Sequence, residues 1–186
     1  MPERSARFYT IGHSTRTLEA FADLLQLAGV RRLIDVRTVP RSRTNPQYNR
    51  DALPGSLEGY GIEYRHVAAL GGLRPKSAAV DASVNGWWQN SSFHNYADYA
   101  LSREFGQALE QLIAAGRKRA CAIMCAEAVW WRCHRRIVSD YLLAAGHQVF
   151  HLMGKDRIEP AQLTRGAAVD GRKVTYPARG QAPETV

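Results

Sequence analysis

The sequence predicts an α/β protein, a Rossmann-like three-layer sandwich in which a mainly parallel sheet of about five strands carries helices on both faces. Three observations predict it. Short apolar, β-favouring runs fall at residues 8–11, 32–36, 62–67, 120–124 and 148–153. Between several of them lie stretches with apolar residues at helical spacing. The first strand, helix and strand fit within about thirty residues, the span of a βαβ unit, which requires a parallel pair with a right-handed crossover.

Each element follows from local residues. Phe8-Tyr9-Thr10-Ile11 forms the first strand, stopped by Gly12. Thr15 or Thr17 caps a helix with Leu18, Phe21, Leu24, Leu25 and Ala28 on one face, and Gly29 ends it. Arg32–Val36 reads as a buried second strand. Residues 37–54 are polar and broken by Pro40, Pro46 and Pro54, so most of them are expected to be loop. Ile62–Val67 alternates as a third strand. Residues 69–92, with Gly71-Gly72 and Trp87-Trp88, read as a long irregular connection; inside a compact domain such a length marks either a functional segment or a missed element. One helix is expected from Tyr96 to about Ala115, with Phe105, Leu109, Leu112 and Ile113 on its apolar face. The strand Ala120–Met124, a helix from about Cys133 to Ala145 and the strand Gln148–Met153 complete a second alternating half. Residues 154–186 are weakly periodic, so a small appendage is expected on a core of residues 7–153, with the last ten residues mobile.

At 186 residues the chain has the size of one domain, and 45% hydrophobic with 23% charged residues is ordinary for a soluble protein. No apolar run approaches the roughly eighteen residues of a spanning helix, so no membrane partner is expected. Met1-Pro2-Glu3-Arg4-Ser5 leads to the first strand without an apolar signal core, which implies a cytoplasmic location. Three cysteines, an odd number, fit reduced thiols better than a disulfide framework. The net charge of +8, with a pI near 9.8, favours anionic partners, either a phosphorylated small molecule or nucleic acid. A merely solubilising surface fits that charge equally well. A homodimer is compatible with the sequence, although no specific feature calls for one.

Reactive residues concentrate where strands end, and in an α/β sheet those loops gather along one edge. Gly12-His13-Ser14-Thr15 follows the first strand, and Asp35–Arg43 spans the end of the second. The segment Cys125–Arg136 follows the fourth and packs two cysteines, Glu127, His134 and three arginines beside Trp130-Trp131. Arg37, Arg41 and Arg43, with Arg135 or Arg136, offer planar forks for phosphate or carboxylate, unless Asp35, Glu127 and Asp140 consume them as structural bridges. Ser14, Asp35 and His134 are counted with this anion-binding set. Cys133 near a helix start is the candidate thiolate, with Cys125 as the second thiol. Adjacent side chains on a helix diverge by about 100°, so His13 rather than His134 is the expected base for Cys133. Glu127 and Asp35 are the candidate acid or base groups, unless they merely orient an arginine, and Cys121 is expected in the core. Cys125, Cys133, His134 and His13 form a conceivable metal set. The seven residues between the cysteines do not match a zinc knuckle, whose ligands sit about two to four apart, so no metal is expected. The tryptophan pairs offer surfaces for base stacking or simply cover the core.

Several separated motifs, in order, resemble one family. Thr10-Ile11-Gly12-His13-Ser14, Leu33-Ile34-Asp35-Val36-Arg37 with Pro40-Arg41-Ser42, and Met124-Cys125-Ala126-Glu127 with Cys133-His134-Arg135 look like the signature blocks of the domain of unknown function 488 family. Asn45–Asn49, Leu70-Gly71-Gly72 and Phe93–Tyr99 match it too, and the resemblance spans residues 7–153. It implies a cytosolic bacterial α/β domain with motif positions at His13, Ser14, Asp35, Arg37, Arg41, Cys125, Glu127, Cys133, His134 and Arg135. It supplies no reaction and no cofactor.

The mixture of acid, base and thiol favours an enzyme acting on a phosphorylated, nucleotide or nucleic-acid substrate, with Cys125, Glu127, Cys133 and His13 as its catalytic groups. A cysteine-phosphatase loop is not matched, since six residues rather than five separate Cys125 from Arg132. The alternatives are a non-catalytic nucleic-acid-binding module and a thiol- or metal-responsive regulator.

Overall fold

Period-two alternation along the strands gives the sheet two apolar faces, and each collects its own helices. The computed structural model describes residues 5–178. Its strands are β1 (Arg7–Gly12), β2 (Arg32–Asp35), β3 (Glu63–His66), β4 (Cys121–Cys125), β5 (Gln148–Gly154) and β6 (Arg157–Pro160), in the spatial order β3-β2-β4-β1-β5-β6. The first five run parallel, and β6 pairs antiparallel with β5. A separate hairpin joins β7 (Ala168–Asp170) and β8 (Lys173–Thr175). The helices are α1 (Leu18–Leu27), α2 (Leu53–Glu58), α3 (Ser91–Tyr99), α4 (Arg103–Lys118) and α5 (Arg135–Ala144).

Tyr9, Ile11, Leu33, Ala122, Met124 and Leu152 meet Phe21, Leu24 and Leu25 of α1 and Leu53 and Leu57 of α2. From the opposite face Phe8, Ile34, Cys121, Ile123 and Val149 meet Phe105, Leu109 and Leu112 of α4 and Ile137, Val138 and Leu142 of α5. Each large aliphatic or phenylalanine side chain among them contributes about 1.5–3 kcal/mol by leaving water, which makes the three-layer arrangement the stable one. No helix among the described residues is long and apolar enough to cross a membrane.

Four expectations change in detail. The sheet has six strands because Arg157–Pro160 covers the edge of β5; three of its four residues are exposed, so no apolar run announced it. The single helix expected from Tyr96 is two. Asn90 starts α3 by accepting the Ser92 N–H at 2.9 Å, and Ser102 starts α4 by accepting the Phe105 N–H at 3.2 Å. Within the expected loop 37–54 lie a 3₁₀ turn at Pro46–Tyr48 and the start of α2, where Pro54 occupies a helix start rather than breaking one. The last expected helix begins at Arg135, since Cys133 is extended at φ −127°, ψ 147°. Beyond β6, Val174 and Tyr176 are fully buried, and the Tyr176 hydroxyl donates to Asp140 Oδ2 of α5 at 2.7 Å. The mobility expected for the last ten residues falls almost wholly outside the described range.

This topology positions a crevice. β1 leaves through α1 on one face and β4 leaves through α5 on the other, yet the two strands are neighbours. The ends of β1 and β4 are therefore the topological switch point, where α/β sheets open a ligand site.

Beside that point His151 is buried, stacks on Trp130 at 4.4 Å and contacts Thr10 Oγ1 at 2.7 Å. Burial, with the Arg135 guanidinium adding to it, pushes His151 from 6.5 down to about 4. The unfolded chain therefore takes up a proton that the folded chain refuses between those values. Stability contributed by the neutral ring is complete above pH 6.5 and falls as pH drops towards 4, by about 1.4 kcal/mol per pH unit for one proton. Urea unfolding at pH 7 and pH 4.5 should show a steeper loss in wild type than in His151→Asn; equal losses would refute the assignment.

Candidate functional site

The pairing of β1 with β4 continues past the strand ends and builds the floor of the crevice. The His13 N–H donates to the Cys125 carbonyl and the Ser14 N–H to the Ala126 carbonyl, both at 2.9 Å. Gly12 permits this approach: a Cβ there would overlap the Glu127 carbonyl oxygen and stand 2.9 Å from Ala128 Cα.

Behind the floor lies a closed polar cluster. Asp35, fully buried, accepts Arg37 Nε at 2.9 Å and Nη2 at 2.7 Å, and the Tyr64 hydroxyl at 2.6 Å. Arg37 also donates Nη2 to the Tyr48 carbonyl at 2.6 Å and Nη1 to His13 Nε2 at 3.3 Å. Burial works against the Arg37 charge, and Asp35 more than restores it, so its pKa lies above the ordinary value. His13 Nδ1 donates to the Ser14 carbonyl at 2.9 Å, and the ring stacks on Tyr48 at 4.3 Å. Burial, and after it Arg37, lowers the His13 pKa, although the Ser14 bond resists. His13 is thus a neutral ring with both nitrogens engaged.

In front of this cluster sit the sulfurs. Cys133 is extended and His134 caps α5, so the two adjacent side chains converge instead of diverging as they would within a helix. Cys133 Sγ lies 3.6 Å from His134 Nδ1, while His134 Nε2 donates to the Val36 carbonyl at 2.8 Å. Arg135, only 1% exposed, donates Nε to Cys133 Sγ at 3.3 Å and Nη2 to the Glu127 carbonyl. The Cys125 and Cys133 sulfurs lie within 4.8 Å of each other. The neighbouring Cys133 sulfur, then burial, pushes the Cys125 thiol up. Burial alone would raise Cys133, but the Cys125 sulfur, His134 and Arg135 together hold it well below the usual thiol range. The two sulfurs are thus pushed in opposite directions, with Cys133 the more acidic thiol beside the buried guanidinium. The donor atoms of Cys125, Cys133 and His134 all lie within 4.8 Å of one another.

These three residues line a cavity of about 310 Å³ with Glu127, Arg41 and Arg132 at its polar edge and Val39, Leu73 and Phe93 on its apolar side. A larger cavity of about 590 Å³ beside Trp87 and Trp88 has no ionisable group in its lining and lies away from this chemistry. Of the residues expected from the sequence, Cys125, Glu127, Cys133, His134, Arg37 and Arg41 line the pocket. Arg135, Asp35 and His13 are buried beside it, while half-buried Ser14 and exposed Arg43 lie outside its lining. Arg132, Gly72 and Phe93 were not anticipated there. The family-matching blocks at Leu70-Gly71-Gly72 and Phe93–Tyr99 and the arginine crowding of Cys125–Arg136 were the available signals. Trp130 stacks on His151 and Trp88 on Phe93 at 4.7 Å, so these indoles are engaged within the fold, while Trp131 is 39% exposed. Cys121 is core, and burial pushes it up to about 11.

The family described as "Domain of unknown function DUF488" matches residues 17–142, which include the Asp35, Cys125 and Cys133 segments. Comparison with curated proteins and with solved structures returns no match.

Proposed function

Because the chain belongs to the DUF488 family, whose description names no chemistry, we propose from its own pocket that it is an enzyme acting on an anionic substrate: a phosphorylated small molecule, a nucleotide, or a nucleotide unit of a nucleic acid. The observation that carries the reading is the pair of neighbouring sulfurs, half-buried Cys125 and buried Cys133 with its Arg135 Nε donor, lining an open cavity. Burying a guanidinium against a sulfur costs desolvation, and a surface that only binds gains nothing from it.

Arg41 and Arg132, both exposed on the pocket edge, hold the anion. Phe93, Val39 and Leu73 pack the apolar part of the substrate. Glu127, also exposed on the edge, exchanges protons with the reacting group. Arg37 and Arg135 act indirectly by holding His13 and Cys133. A volume near 310 Å³ stands at the small end of the roughly 300–1,000 Å³ of ligand cavities and suits one nucleotide or sugar phosphate. A non-catalytic nucleic-acid binder would draw on the +8 charge, yet all four indoles that would stack on bases already pack against neighbouring rings, and only Trp131 among them is exposed.

The test is thermal stabilisation by inorganic phosphate and nucleoside monophosphates. Each of Arg41→Ala and Arg132→Ala should weaken binding about ten- to a hundredfold, the worth of a hydrogen bond to a charged group. Arg43→Ala, outside the pocket, should leave binding unchanged. Failure of every anion to stabilise the wild type, or equal loss in all three variants, would overturn the reading.

A further inference from the structure

We propose that Cys125, Cys133 and His134 form a three-ligand centre for a zinc-class divalent ion, with the fourth position open to the pocket. The inference deepens the active-site reading and rests on it for the substrate, while the ion site stands on its own geometry. Tetrahedral zinc, with about 2.3 Å to sulfur and about 2.0–2.1 Å to nitrogen, keeps its ligand atoms about 3.6–3.8 Å apart. Cys133 Sγ and His134 Nδ1 already stand at 3.6 Å, and all three donors lie within 4.8 Å. Closing the set therefore requires a shift of about 1 Å or less, within the reach of a side-chain adjustment.

The surroundings are arranged as a metal site requires. His134 gives its Nε2 proton to the Val36 carbonyl, which turns Nδ1 towards Cys133 Sγ. A metal-bound imidazole is oriented in this way, by a carbonyl or carboxylate on its far nitrogen. Gly72 keeps that side of the ring clear, since a Cβ there would overlap Nδ1 and stand 2.8 Å from Cγ. The Cys133 sulfur receives an N–H donor, Arg135 Nε at 3.3 Å. His13 is not a fourth ligand, because Arg37 and the Ser14 carbonyl occupy its nitrogens. Two thiolates and one imidazole suit zinc-class ions, and three protein ligands with an open fourth position mark a reactive rather than a structural centre.

Charge then selects what fills the open position. Two thiolates cancel the dication, so the buried Arg135 guanidinium leaves one positive charge in excess and favours hydroxide or a substrate oxyanion. Water bound there gives a proton to Glu127 and attacks the electrophilic phosphorus or carbon of the substrate as hydroxide. The bond to the leaving group breaks with its electron pair, and the leaving group takes the proton back from Glu127, so the balance is hydrolysis.

The experiment strips the reduced, full-length protein with a chelator and titrates it with zinc and with cobalt(II). One ion per chain is expected, and cobalt should show thiolate charge transfer with the strong visible bands of four-coordination. Cys125→Ser, Cys133→Ser and His134→Gln should each weaken zinc by more than about tenfold. Gly72→Ala should do so with every ligand still present, which guards against loss of fold in the ligand variants. Cys121→Ala should retain the ion. Absence of stoichiometric uptake by the reduced wild type, cobalt spectra without thiolate charge transfer, or a Cys125–Cys133 disulfide that zinc does not prevent would each overturn the proposal. Metal uptake is read without substrate. A chain that binds phosphate but no zinc sinks the ion site, whereas one that binds zinc but no anion sinks the substrate reading.

Discussion

Replacing Asp35 with alanine is expected to destabilise the protein by about 3–5 kcal/mol, the cost of breaking a buried ion pair from one side. Asp35 has no exposed surface and receives two Arg37 side-chain nitrogens, the Arg37 backbone amide at 3.1 Å and the Tyr64 hydroxyl. Without the carboxylate, a guanidinium only 5% exposed keeps a carbonyl and a neutral imidazole as partners, neither of which balances its charge. The double change Asp35→Leu with Arg37→Met removes both charges and should recover most of that loss. It should also release His13, because Nη1 of Arg37 is the donor that holds its Nε2. Urea unfolding of the two variants beside wild type checks the expectation. A loss below about 1 kcal/mol for Asp35→Ala would mean that the pair is no stronger than a surface bridge.

The second large effect is expected at Gly12. Alanine there places a Cβ into the Glu127 carbonyl oxygen and against Ala128 Cα, both backbone atoms that no rotamer change can clear. Either β1 or segment 126–128 must move. Movement breaks the His13–Cys125 and Ser14–Ala126 backbone bonds and pulls the Glu127 carbonyl from Arg135. Overpacking costs about 1–3 kcal/mol and each lost hydrogen bond about 1 kcal/mol, so Gly12→Ala should lose about 3 kcal/mol or more. The same displacement moves Glu127 and Cys125 in the pocket lining. Anion binding should therefore weaken even at temperatures where the variant remains folded. Unchanged stability, or a destabilised chain that binds phosphate normally, would show that the loop absorbs the extra methyl without disturbing the site.

Much of this architecture is legible residue by residue. Tyr9 and Ile11 against Phe8, or Leu33 against Ile34, show the two-residue period that sends alternate side chains to the α1 and α4–α5 layers. Of the two caps the sequence offers before α1, Thr15 and Thr17, it is the Thr17 hydroxyl that accepts the Ala20 N–H, at 3.2 Å. Ser102 and Asn90 carry the same kind of signal, but the apolar spacing of Phe105 to Ile113 outweighed it, and two helices read as one. β6 was illegible because an edge strand needs backbone pairing more than buried side chains, and pairing with β5 leaves little trace in composition.

The sequence by itself determined the α/β class, the order of most elements and the crowding of reactive groups at three strand ends, because periodicity and turn residues act between near neighbours. Only the tertiary structure decided what those groups do. Arg37 and Arg135 are consumed inside the fold, Arg41 and Arg132 edge the pocket, and Arg43 stays outside its lining. Cys125, Cys133 and His134 converge because an extended residue at 133 turns the chain just before α5. The physical reason is the range of the interactions. Apolar burial along one element repeats with that element's own geometry, whereas the partner of a buried charge is whichever group the packed layers bring within about 3 Å.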